Sequence, residues 1–330
     1  MAKRRKTQEN QILRSLDGLA YGLFVTMVIG AFLNFLSDLL NISVLQVWGN
    51  SISSLAGPAI GVGVAYATGA SGIVLLSAAL AGAICMSNSV AWPLCAYIAV
   101  MISCYVGHFC HDKTPVDIFL VPTLTLITAG FMAQFVAPYI NLGVDWLISQ
   151  VGVALTLPLW LMGILVAMLM GLLSVMPLLM LSISTALGLS GLASGAAIAG
   201  ACAFAMGLAT MSMDDNDIGN VIAVALGTPL LQFKNALKHP LIIIPPLLTS
   251  IVTGLLSVLV LKMAGTTYGA GMGNMAFAGP LSIASTMGSS YWLMIIVVDI
   301  LLPIVMCYSI YRAFKKLGWI HNGDLYIQRL

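Results

Sequence analysis

The chain has 330 residues, of which 60% are hydrophobic and only 7% charged, with 13 Lys and Arg against 11 Asp and Glu for a formal charge of +2. A soluble domain has about a quarter of its residues charged and needs polar groups to cover its surface. This composition therefore excludes a soluble globular enzyme, a disordered chain and a nucleic-acid binder, and implies lipid as the solvent. Leu39 to His111 (73 residues) and Trp146 to Met213 (68 residues) contain no charged side chain. Each is long enough to cross a bilayer at least twice at about 20 residues per helical pass. No run alternates in the manner of the ten-residue strands of a membrane β-barrel, so the expected fold is all-α, a polytopic membrane protein.

In chain order, MAKRRK precedes an apolar run that starts near Leu16 and is too long for a signal-peptide core, so it reads as a retained first span. Crossings are expected at 16–37, 48–68, 71–88, 91–109, 117–140, 157–187, 191–211, 218–233, 240–262 and 291–312. The segment 218–233 is short and contains Gly219, Gly227 and Pro229; its alternative is a re-entrant hairpin buried in protein. Cytoplasmic loops collect Lys and Arg. With the N-terminus inside and ten crossings, twelve of the thirteen basic residues fall on the cytoplasmic face: Lys3, Arg4, Arg5, Lys6, Arg14, Lys113, Lys234, Lys238, Arg312, Lys315, Lys316 and Arg329. Lys262, Asp145 and the cluster Asp214, Asp215, Asp217 fall outside. A full crossing by Thr266–Ser290, with its run Tyr268-Gly-Ala-Gly-Met-Gly-Asn-Met, would put the basic tail outside, so it is expected to re-enter from the outer face; irregular backbone at membrane depth is tolerated only where it is buried or lines a cavity, which makes it a candidate wall of a site.

One internal echo stands out. A shift of 119 residues places Pro58 on Pro177, Gly69 on Gly188, Ser71 on Ser190 and Gly72 on Gly191. Duplicated halves are common in transporters, and the chain reads as one integral-membrane domain with repeat halves at 16–110 and 117–212 and a C-terminal part at 213–330. Gly191, Gly195 and Gly200 have the spacing of close helix packing.

Polar residues in lipid need partners or a function. Asp299 lies midway along the last crossing, where pairing with a neighbouring helix and a direct role in a solute or proton path are both open. Gln134, Asn88 and Asn34 suit interhelical hydrogen bonds. Asp215, Asn216, Asp217 and Asn220 offer acceptors for sugar hydroxyls or a cation; the alternative is a solvated loop with an Asp capping the next helix. The broken segment that follows ends in Thr228, Gln232 and Asn235, and such discontinuous helices carry substrates in transporters. Cys104, His108, Cys110, His111 and Asp112 match no standard zinc spacing, so no metal is expected. The six Cys residues read as small hydrophobes. Neither a phosphate loop nor a hydrolase motif is present, so neither a self-contained catalytic site nor a cofactor is expected.

The C-terminal third resembles a known family. "DNDIGNVIAVALGTPLLQFKN", "HPLIIIPPLLTSIVTGLLSVLVLKM" and "YGAGMGNMAFAGP" follow one another as in the second type of membrane IIC component of the bacterial phosphoenolpyruvate:sugar phosphotransferase system, the group that includes the perfringolysin toxin regulator. Ser182–Ala197 is similar as well. The family's G-T-S-M-L-Q stands here as Gly227-Thr228-Pro229-Leu230-Leu231-Gln232, with Pro in place of Ser, while Gly271-Met272-Gly273 is intact. The resemblance implies a homodimeric carrier in the bacterial inner membrane that moves a small polar, sugar-like solute inward by alternating access. Soluble IIA and IIB partners would supply any phosphoryl group. Its site is expected at Asp215, Asn216, Asp217, Thr228, Gln232, Gly271, Gly273 and Asn274, with Asp299 nearby. Two other functions compatible with the residues are a membrane sensor or regulator of gene expression and an ion-coupled metabolite transporter.

Overall fold

The structure, a computed structural model, describes residues 2–87, 89–111, 113 and 115–328, with side chains from residue 11 onward. Among these residues the regular elements are helices, joined only by an isolated bridge between Gly191 and Gly265. Six helices are long and apolar enough to cross a membrane: Gln11–Leu40, Trp92–Cys110, Asp117–Leu155, Gly191–Asp214, Pro240–Val260 and Ser289–Lys316. Shorter apolar helices lie between them. The chain is an all-α, polytopic integral membrane protein. It forms two compact units, the first ending at Val144 and the second running from Asp145 to Ile327.

The first unit contains α1 (Ala2–Leu23), α2 (Ile29–Leu40), α3 (Ser43–Ser53), α4 (Ala56–Ala67), α5 (Gly72–Ile84), α6 (Trp92–Cys110) and α7 (Asp117–Phe131). Glycines let these helices touch backbone to backbone. A Cβ on Gly18 would strike the Gly63 carbonyl, one on Gly61 the Ala78 carbonyl and one on Gly82 the Gly57 carbonyl. Lipid gives little drive for helices to associate, so such close packing has to supply it. Asn34 donates to Asn50 across α2 and α3 at 3.1 Å, as expected, whereas Gln134 is exposed. Asn88 lies outside the described residues.

The helix α8 (Ala137–Leu155) continues past the expected end of a crossing at 140, so Asp145 sits exposed on a helix and not in a loop. The second unit then adds α9 (Leu159–Val175), α10 (Met180–Ala186) and α11 (Gly191–Met211). The expected single pass 157–187 is two passes. Pro177 disfavours helix at the residue before it, and Met176 is extended with ψ 152°. Gly200 of α11 lies against Ala167 of α9, and Gly171 against Phe204. The two helices therefore run parallel, and residues 176–190 are the return path between them.

Helix α11 is the axis of this unit, buried continuously from Ser194 to Met211. Helix α14 (Ile244–Leu255) runs antiparallel to it: Pro246 sits by Gly207, Thr253 by Ala199 and Met263 by Gly195. The last crossing, α17 (Trp292–Ile295) through α18 (Leu302–Lys316), runs parallel to α11 and antiparallel to α14. Ile295 and Val298 pack with Ile198 and Cys202, the Cys307 thiol faces the Ala203 carbonyl, and Lys315 reaches Asp214.

Candidate functional site

The expected crossing 218–233 does not cross. It comprises α12 (Ile218–Ile222), a π turn at Ala223–Gly227, a 3-10 turn at Pro229–Gln232 and α13 (Phe233–Lys238). Thr228 is fully extended because Pro229 follows it, and its hydroxyl accepts from the Leu230 amide at 3.2 Å. The chain turns back there. The side chains of Asn216 and Gln232, at the two ends of the segment, both donate to the carbonyl of Leu325, at 2.7 and 3.0 Å. Two ends that share one acceptor lie on one face, so 218–233 is the re-entrant hairpin and the Asp214–Asp217 cluster shares a side with the C-terminal tail, not the opposite side.

Residues 266–290 re-enter from the other face. Gly191 and Gly265 exchange backbone bonds of 3.1 and 3.3 Å at the start of α11. Helix α15 (Thr267–Met272) then descends, and α16 (Ala278–Met287) returns until Ser282 stands against Gly265 and Gly269. At the turn between them, Asn274 lies level with the middle of α11, where the Cys202 thiol approaches its Oδ1 at 3.6 Å. Its amide donates to the Ala225 carbonyl at 2.6 Å. The tips of the two re-entrant segments thus meet inside the unit, joined by this bond.

The nine expected site residues divide into groups. Thr228 and Asn274, 8% and 3% exposed, lie at the tips. Gly271 and Gly273 bring backbone close to protein: Gly271 packs on Leu181 and Ser184, and Gly273, with φ +55°, on Ala201. Asp215, Asn216 and Gln232 are bonded to the tail, and Asp217 is exposed at the start of α12. Asp299 is fully buried on a π turn, Ile296–Leu301, and neither carboxyl oxygen has a hydrogen-bond partner. It follows Val298, which packs in the cluster of Ile198, Ala199, Cys202, Met263 and Ile283. The pairing considered for it is therefore not found among the described residues.

Sequence reasoning missed the tail itself. Asp214 takes a salt bridge from Lys315 at 2.8 Å and a hydrogen bond from Tyr311 at 3.3 Å. Asn235 donates to the Tyr326 carbonyl at 3.0 Å. The signal for this in the sequence was the apolar residues Ile320, Leu325 and Ile327 of the terminal stretch, all three buried. Among the described residues no three His, Cys, Asp or Glu side chains gather as a metal site; Asp112 of the expected cluster lies outside them. All six Cys residues are free thiols.

Two broken segments that enter from opposite faces and meet beside a continuous central helix define a membrane protein of the transporter class, in which irregular backbone at membrane depth is held within protein. The chain belongs to the phosphotransferase system EIIC family, whose model matches residues 13–327. It is thus a membrane component of a sugar phosphotransferase transport system. No curated protein and no solved structure matches it.

Proposed function

We propose that this chain is the translocating subunit of such a system: it binds a sugar-like polar solute between the two re-entrant tips and carries it across a bacterial inner membrane by alternating access. The observation that carries this reading is the bond from Asn274 to Ala225, the contact of two separately anchored segments at mid-depth. Breaking it would let one segment move while the other stays, as a rigid-body gating mechanism needs. Thr228, Asn274 and the Gly271–Gly273 backbone form the inner part of the solute path, with Asp299 beside it. Asp215, Asn216, Asp217 and Gln232 form its mouth on the tail side.

The basic residues Arg312, Lys315 and Lys316 support a cytoplasmic tail, which makes that mouth the cytoplasmic one and puts both termini inside. Soluble IIA and IIB proteins would meet the chain there, and two copies would form a homodimer. The test is a thermal-stability screen of purified protein against hexoses, pentoses and hexitols, followed by counterflow in proteoliposomes. At least one sugar is expected to stabilise the wild type and to exchange across the bilayer. Asn274→Ala should abolish both effects while the protein stays folded. If no sugar binds or exchanges, or if Asn274→Ala binds and exchanges normally, the reading fails.

A further inference from the structure

The chain beyond α18 leaves helical geometry at Gly318 (φ +72°) and turns back along the re-entrant hairpin. Its backbone is bonded to side chains at alternate positions. The amides of Gly323 and Leu325 donate to the two carboxylate oxygens of Asp215, at 2.8 and 3.2 Å, and the Ile327 amide donates to Asn216 Oδ1 at 2.8 Å. In return, Asn216 and Gln232 donate to the Leu325 carbonyl and Asn235 donates to that of Tyr326. Asp324 lies 3.4 Å from His239, just past the hairpin, and caps the tail's own turn at the His321 amide. Ile320, Leu325 and Ile327 are buried. The tail turns at 321–326 and then runs on without helix or strand, its backbone held by side-chain acceptors and donors while Leu325 and Ile327 are buried, much as proteins hold a bound peptide.

The bonds have a mechanical consequence. Asp215 and Asn216 precede the hairpin, and Gln232 and Asn235 follow its tip, so the tail clamps both stems at once. Short segments such as α12 and α13 have too few internal bonds to persist alone, and a clamp of this kind supplies the missing restraint.

We propose that residues 320–327 are a strap that holds the re-entrant hairpin in its inserted position and covers Asp215, Asn216, Gln232 and Asn235, so that these groups meet solute only when the strap lifts. The regulatory consequence rests on the solute path proposed above, but the restraint itself does not. It is tested by hydrogen exchange on the full-length protein in nanodiscs, comparing wild type with Gly323→Pro and Leu325→Asp. Proline removes a donor to Asp215 at a φ of +92° that it cannot adopt. The aspartate puts a charge in the buried leucine pocket and beside Asp215.

In the wild type, amides 323, 325 and 327 should exchange slowly. In both variants, residues 218–238 should exchange on the order of tenfold faster, the factor expected from losing a charge-assisted bond and its buried neighbour, while α11 exchanges as before. Wild-type tail amides that exchange at free-peptide rates, or hairpin rates unchanged in both variants, would overturn the proposal. The readout is exchange and not transport, so a protein that moves no sugar would defeat the carrier reading and leave this result intact.

Discussion

Asp299 is the residue whose position is hardest to explain by stability. A buried carboxyl without a donor costs about 2.5 kcal/mol even on lenient insertion scales, and both of its oxygens lack one. A buried charge without a partner carries an uncompensated desolvation cost, which removing the charge relieves. Asp299→Asn, which keeps an unpaired polar group but removes the charge, is therefore expected to leave thermal unfolding unchanged or to raise stability by about 1 kcal/mol, and to impair solute exchange. A clear loss of stability would show that the carboxylate has a structural partner. Its cost was legible in the sequence, because an acid stands out in an apolar span. Its lack of a partner was not, since that depends on which side chains of α11 face it. Asp215 and Gln232 show the converse: as residue types they suit a sugar, but their actual partners lie about 90 to 110 residues further along the chain, a distance that no local pattern reveals.

At the level of elements, the echo at a spacing of 119 has a structural counterpart. After α4, Thr68 donates to Val64, Gly69 to Tyr66 and Ala70 to Ala65; after α10, Leu187 donates to Ile183, Gly188 to Thr185 and Leu189 to Ser184. Each bond maps onto its partner by the same shift. Gly69 and Gly188 are both left-handed, at φ +75° and +60°, with open space where a Cβ would stand. Ser71 and Ser190 then precede α5 and α11. This is the helix-ending motif in which glycine takes the left-handed position, and both corners use it. Gly69→Ala and Gly188→Ala should each cost about 1 kcal/mol through backbone strain alone, measured by chemical unfolding; a loss of several kcal/mol at only one of them would set the two corners apart. Element boundaries were less legible. A span of 31 residues at 157–187, with Pro177 inside it, exceeds the roughly 20 that one pass takes, and this length was the available sign of a broken return. The segment 266–290 was readable as re-entrant because a full crossing would put the basic tail on the outer face, and its glycines permit the tight backbone this needs.

For the whole molecule, two departures from the expected path compensate. Residues 157–187 make one pass more than expected and 218–233 make one fewer, so the tail ends on the expected side relative to α13 while the acidic cluster changes sides. Charge counting could not detect this, because acidic residues contribute little to orientation and the parity of passes is the same. The claim that two re-entrant segments enter from opposite faces is tested most directly by labelling single cysteines with a membrane-impermeant maleimide in oriented vesicles. Asp217→Cys, Lys238→Cys and His321→Cys, made in a Cys110→Ser background, should all react from one face, and Lys262→Cys from the other. Labelling of Asp217→Cys and Lys238→Cys from opposite faces would mean that 218–233 crosses the membrane, and would contradict the site described here.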